Sequence, residues 1–274
     1  MISKKFFLLA FITTVVNGTA ELHFNLLKGR RSPRIIGGTN AFIEDHPYMA
    51  SLHHFHLHIC GASIISERWL LTTAICTTLD LRFPNTAIRA FTVRIGTQTI
   101  ESGGQQIAVL RVYDHPLFLV SPPEGFDYDF SLLYLERNIE FSNSIQPIRL
   151  PESNEVYAPG TIATVLGWGV DSEWAYDYQE HLQKVEVPII NNTDCEELYN
   201  EFYITGYITA RVICAGYRTA IGDRCYGDWG GPLVQNDTLI GLVSWIYICD
   251  PSLTPSVYSN VQSVRDWIRE VTEV

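Results

Sequence analysis

The chain has 274 residues, 46% of them hydrophobic and 12% aromatic, with 30 acidic against 19 basic side chains. That length can bury a sizeable core, as one large domain or two small ones. The formal charge of −11 argues against nucleic acid, heparin-like polymers and anionic membranes as main partners, since each needs a basic surface; a basic protein or a cation fits better, although acidity also keeps a secreted protein soluble.

Lys4 and Lys5 precede an apolar run, Phe6 to Val16, which ends in Asn17-Gly-Thr-Ala20. A basic start, a short apolar stretch and small residues make residues 1–20 a secretory signal peptide, and the mature protein an extracellular one. The run is too short for a membrane span, which needs about 20 apolar residues, and no other segment is apolar enough. Residues 21–34 read as a propeptide closing on Lys28-Gly-Arg-Arg-Ser-Pro-Arg34, an exposed basic run suited to proteolytic nicking. Residues 1–34 hold six of the basic side chains and one acid, Glu21, so the remainder carries 13 basic and 29 acidic residues, a formal −16. Six cysteines in a secreted chain imply three disulfides, with 15 pairings open on sequence alone.

From His46 onward the pattern is β. Short alternating runs such as Leu182-Gln-Lys-Val-Glu-Val187 lie between Gly, Pro and Asn turns, which points to a barrel or sandwich. In His53-His-Phe-His-Leu-His58 the alternation places His54, His56 and His58 on one face of a strand. Imidazoles so spaced suit zinc or copper, but a strand alone rarely wraps a metal, so no metal and no other cofactor is assigned. The loop Asp171-Ser-Glu-Trp-Ala-Tyr-Asp-Tyr-Gln-Glu180 mixes aromatics with acids, a composition suited to binding. Asn191-Asn-Thr193 and Asn236-Asp-Thr238 are N-glycosylation sequons at Asn191 and Asn236. Val264, Trp267, Ile268 and Val271 share one helical face, so the chain ends in an amphipathic helix.

Cys225-Tyr-Gly-Asp-Trp-Gly-Gly-Pro232 resembles the Gly-Asp-Ser-Gly-Gly-Pro loop of the chymotrypsin/trypsin family of serine proteases, which carries the nucleophile and the oxyanion hole. Trp229 stands at the serine position, and an indole cannot form an acyl-enzyme. Thr72-Thr-Ala-Ile-Cys76 resembles the family's Thr-Ala-Ala-His-Cys, with Ile75 at the position of the general base. Asp127-Tyr-Asp-Phe-Ser-Leu-Leu133 is similar to the aspartate segment and makes Asp129 the one surviving triad member. In a related triad, losing serine or histidine alone lowered turnover by roughly 10⁶.

The resemblance covers residues 35–274 and implies an all-β fold of two six-stranded antiparallel barrels, joined near residues 145–151, with the C-terminal α-helix on the second barrel. It selects the pairs Cys60–Cys76, Cys195–Cys214 and Cys225–Cys249. It implies cleavage after Arg34, because Ile35-Ile-Gly-Gly38 is similar to the start of mature trypsin-like enzymes, and pairing of the new Ile35 amino group with Asp228. The specificity pocket departs from the family: Asp223 matches the trypsin-like position, but Arg224 follows it, and Ile246 and Ser256 replace pocket glycines. The expectation is a secreted pseudoprotease that binds proteins, as cofactor or decoy for an active protease. The alternative is a serine-type endopeptidase with residual or relocated catalytic groups.

Overall fold

The computed structural model describes residues 38–78, 90–118, 126–169, 178–217, 228–245 and 254–274. The first barrel is built from β2 (Met49–His54), β3 (Leu57–Ile64), β4 (Trp69–Thr72), β5 (Phe91–Ile95), β6 (Gln105–Asp114) and β7 (Ser131–Leu135), with the short helix α1 (Ala74–Thr78) after β4. These strands close in the order β2-β3-β4-β7-β6-β5, because β5 also pairs with β2. β5 shows why they close. Phe91, Val93 and Ile95 are buried and alternate with Thr92 and Arg94, the two-residue period of a strand with one face in a core.

The second barrel uses β8 (Ile162–Gly167), β9 (Gln183–Ile190), β10 (Val212–Ala215), β11 (Pro232–Gln235), β12 (Thr238–Trp245) and β13 (Ser256–Asn260). They run β9-β10-β13-β12-β11-β8, and β8 pairs back onto β9, so this sheet is also a closed six-stranded barrel. β1 (Thr39–Asn40) adds to the outside of β9. The β11–β12 hairpin turns at Asn236 and Asp237, both with positive φ (48° and 57°), as a two-residue turn between twisted strands demands. Between the barrels, Ile148 N–H donates to Ile64 O, and Leu239 N–H donates to Arg149 O. The connecting segment is thus pinned to both sides.

Two disulfides lie among the described residues, Cys60–Cys76 and Cys195–Cys214; Cys225 and Cys249 lie outside them. The first ties β3 to α1, and the second ties α2 (Asn192–Asn200) to β10.

The chain ends in a 3-10 turn (Val261–Val264) and α3 (Arg265–Thr272). As the spacing predicts, Val264 and Ile268 are buried while Trp267 and Val271 pack partly buried beside them. The docking place differs from the expectation. This face shares a cluster with Phe130 and Leu132 of the first barrel as well as Leu239 and Leu242 of the second. Trp267 also meets the edge of His115, 4.8 Å between ring centroids. The helix seals the seam between the barrels rather than the second barrel alone.

Candidate functional site

Asp129 lies at that seam, just before β7, and is 1% exposed. One carboxylate oxygen accepts from the Ile75 N–H of α1 at 2.8 Å, and the other from the Ser244 hydroxyl of β12 at 2.6 Å. Burial pushes its pKa up to about 7, against the opposing hydrogen bonds from Ser244, Ile75 and Ala74. A residue of the first barrel is thereby tied to a strand of the second. Ser244 was not singled out from sequence, because a lone serine in a strand carries no signal of what lies opposite.

Ile75 and Trp229, which the sequence resemblance sets at the histidine and serine positions, are hydrocarbon and indole. Ile75 and Trp229 both pack, partly buried, against the core of the first barrel. Trp229 also packs against the core of the second barrel. The indole therefore packs against both cores. Neither group can give or take a proton in acyl transfer.

The backbone around Trp229 is closely constrained. Gly61 N–H donates to Trp229 O at 2.8 Å, and Gly230 N–H donates to Val243 O at 2.8 Å. Gly230 has φ of +74°, and a Cβ there would lie 2.1 Å from Thr72 Oγ1 and 2.4 Å from Gly61 O. A Cβ on Gly61 would lie 2.7 Å from the Cα of Gly231. Only glycine permits both the conformation and the approach. Thr72 Oγ1 donates to Gly61 O at 2.8 Å, locking the crossing from the other side.

Asp228, the residue before Trp229, is fully buried, and its Oδ1 accepts from Gly169 N–H at 2.8 Å. A Cβ on Gly167 or Gly169 would fall 1.9 Å or 2.3 Å from its carboxylate oxygens, so the carboxylate sits in a cradle of glycine backbone. Its expected partner Ile35, and the cleavage position Arg34, lie outside the described residues. So do Asp223, Arg224 and Ile246 of the expected specificity pocket. Ser256 is fully buried in β13, opposite Ala215 of β10.

The histidine run is not one strand. β2 ends at His54, Phe55 and His56 form the turn with φ of 48° and 70°, and β3 begins at Leu57. His54, His56 and His58 therefore do not share a strand face, and no group of three metal-ligating side chains occurs among the described residues. His54 instead packs its ring on Phe55 and Phe91. His53 and His58 face each other across the hairpin, and both bond the Ser51 hydroxyl, His53 through Nε2 at 2.8 Å and His58 through Nδ1 at 2.7 Å. Ser51 and His53 were missed from sequence, although their two-residue spacing on β2 puts them on one face.

His58 also meets the ring of Tyr178 edge-on, with centroids 4.8 Å apart. Burial raises the Tyr178 phenol pKa, with the Asp228 charge adding to it. Together they line a cleft of about 650 Å³ whose walls include Leu57, Ile59 and Ile100 and whose polar groups include Glu101 and Glu180. Tyr178 and Glu180 are the described end of the acidic, aromatic loop; the rest of that loop lies outside the described residues. Asn191 is exposed and caps α2, its side-chain oxygen accepting from Thr193 N–H at 2.8 Å. Asn236 is exposed at the β11–β12 turn.

Comparison with known proteins agrees with this geometry. The family profile described as Trypsin matches residues 35–268. Trypsin 5G1 of Aedes aegypti is 39% identical over 244 residues, covering 89% of this chain and 86% of that protein. The suppressor of tumorigenicity 14 protein homolog of Bos taurus is 36% identical, covering 88% of this chain but 29% of its own length. Transmembrane protease serine 9 of Rattus norvegicus is 35% identical, over 89% of this chain and 22% of that protein. Among solved structures, neuropsin, a serine protease of mouse brain, superposes with a TM-score of 0.74 at 29% identity, covering 85% of this chain and 98% of that one. On the profile match, the relatives and the paired closed barrels, the chain belongs to the trypsin family of serine proteases.

Proposed function

We propose that this trypsin-family chain is a non-catalytic, secreted member that works by binding proteins, as a cofactor or decoy for an active protease. The observation that carries the reading is the pair Ile75 and Trp229, apolar groups partly buried against the first-barrel core and, for Trp229, the second, at positions where acyl transfer needs an imidazole and an alcohol. Residues 1–20 direct secretion and residues 21–34 are removed by cleavage after Arg34. The freed Ile35 amino group then pairs with Asp228, for which the buried, glycine-cradled carboxylate is the supporting feature, since a buried carboxylate needs a charged or hydrogen-bonding partner. Asn191 and Asn236 carry N-glycans; the capping bond at Asn191 uses its side-chain oxygen and leaves the amide nitrogen for the sugar. The acidic surface selects a basic partner.

The alternative, a relocated nucleophile, finds its best candidate in Ser51, which is within hydrogen-bond reach of two imidazoles. Ser51 is 1% exposed, so a substrate carbonyl has no approach to its oxygen. The test is an assay of the Arg34-cleaved chain against peptide amides together with labelling by an organophosphonate serine reagent. Neither hydrolysis nor labelling is expected. Turnover that copurifies with the chain and vanishes on labelling of any serine would overturn the reading.

A further inference from the structure

Strands β4, β7 and β6 of the first barrel carry a cleft of about 390 Å³ lined by Arg68, Trp69, Leu110, Arg111, Tyr113 and Tyr134. Strand register builds it. Trp69 of β4 lies opposite Tyr134 of β7, and Tyr134 lies opposite Arg111 of β6, so the three form a row across the sheet. Tyr113 stands two residues beyond Arg111, on the same face. The register of β6 against β7 shifts between Val109 and Arg111, with Leu110 as the extra residue. Such a bulge breaks the alternation of a strand, which is how the consecutive side chains of Leu110 and Arg111 both reach the cleft. Leu110 is left 50% exposed there.

The rings and one of the two cations are held in place. Trp69 packs on Tyr113 and Tyr134, with ring centroids 5.5 Å and 4.8 Å away. The Arg68 guanidinium lies over the Tyr134 ring, 4.5 Å from its centre. Its Nε donates to Leu135 O and its Nη2 to Glu136 O, each at 3.0 Å. Those acceptors are neutral main-chain carbonyls, so they fix the cation without cancelling its charge. Arg111 is exposed, and the ionisable groups acting on it are the Tyr113 and Tyr134 phenols. Neither guanidinium meets a carboxylate among the described residues. Of the acids nearest in the chain, Asp114 accepts from the Thr77 hydroxyl at 2.6 Å, and Glu67 and Glu136 are exposed and outside any ion pair among the described residues.

Tryptophan, tyrosine and arginine are the side chains that dominate protein-binding surfaces, and side chains ordered beforehand lower the cost of association. We propose that this face is a docking site for a protein segment in which carboxylates flank an apolar side chain. The apolar group sits against Leu110 and the rings, and the carboxylates meet Arg68 and Arg111. A long polyanion fits less well, because it also meets the acids of a chain with a formal charge of −11. A short segment escapes most of that repulsion, which is screened beyond about 8 Å at physiological ionic strength. The site involves neither Ile75 nor Trp229, and its charge preference is opposite to that of the acidic surface as a whole.

The test is an NMR titration of the ¹⁵N-labelled full chain with the capped peptide acetyl-Glu-Glu-Phe-Glu-Glu-amide. Saturable shifts of the Leu110, Arg111 and Tyr134 amides are expected at millimolar peptide or below. Replacing the four Glu of the peptide by Gln, or Arg111 of the chain by Ala, should weaken binding by about threefold or more, as loss of an exposed charge pair does. Replacing the peptide's Phe by Ala, or making Leu110→Ser, should weaken it through lost apolar contact. Equal affinity for the Gln peptide, shifts centred elsewhere, or no shift at millimolar peptide would overturn the proposal. So would dextran sulfate shifting these amides where the peptide does not, since the face would then be a polyanion site. If a variant fails to fold, the comparison of the three peptides on the wild type still decides.

Discussion

Replacing Trp229 with serine restores the residue type that acyl transfer needs, and the structure says that it should weaken the protein. The indole is partly buried and touches the cores of both barrels. A tryptophan buries 150–250 Å² when enclosed; taking about 120 Å² of apolar surface for this one, at about 25 cal/mol/Å², gives about 3 kcal/mol. Residual burial in the unfolded chain lowers the expectation to about 2 kcal/mol. In a domain of this size that corresponds to a drop in Tm of roughly 4–8 °C. Urea unfolding with the disulfides intact would measure it as a lower midpoint at unchanged m. Because Ile75 packs on the same cluster, Trp229→Ser and Ile75→Ala should be non-additive by at least about 0.5 kcal/mol. A Trp229→Ser protein as stable as the wild type, with additive effects of the two changes, would mean that the indole is not part of either core.

Two further changes probe the seam. Asp129→Asn isolates the buried carboxylate: its folded pKa of about 7 lies above the ordinary 3.8, so its favourable contribution is full below pH 3.8 and lost as pH rises through 7. The stability difference between variant and wild type should therefore move toward the variant by on the order of 4 kcal/mol over that window, about 3 units at 1.36 kcal/mol each; a flat difference would refute the raised pKa. Gly61→Ala should destabilise by about 2 kcal/mol or more, since its Cβ meets the backbone of Gly231 at 2.7 Å and backbone cannot move aside cheaply; unchanged thermal unfolding would show that the crossing is looser than described.

What could be read from the sequence follows from how local each signal is. The alternation Val185, Val187 on β9 and the helical face of Val264 and Ile268 are periodicities, and both appear as buried faces. Where the helix docks is not periodic information, because an apolar face fits the first barrel, the second or the seam equally well. The histidine hairpin was misread for a definite reason. Alternating residues fit one strand as well as two, and the turn uses Phe55 and His56 at positive φ, without the Gly, Asn or Asp that marks such turns. Asn236-Asp237 is the contrasting case, where the turn residues announce themselves. Ser244 was illegible for another reason: its partner Asp129 is 115 positions away in the chain.

The backbone of the seam and the side chains at positions 75 and 229 differ in what constrains them. The path of residues 228–231 is set by backbone contacts: Gly61 to Trp229 O, Gly230 to Val243 O, and a glycine-on-glycine crossing with no room for a Cβ. None of these contacts involves the side chain at position 229, and Asp129 is held by a backbone N–H of residue 75 rather than by its side chain. In these contacts the frame is held by backbone, while the side chains at 75 and 229 contribute packing. Trp229 packs against both cores and Ile75 against the first, and there apolar groups gain burial that a polar imidazole and hydroxyl would not. On the proposed non-catalytic reading, a trypsin-family fold without an imidazole and an alcohol at these positions is for this reason self-consistent: that chemistry would reside in two side chains, and the frame that positions them is made of backbone.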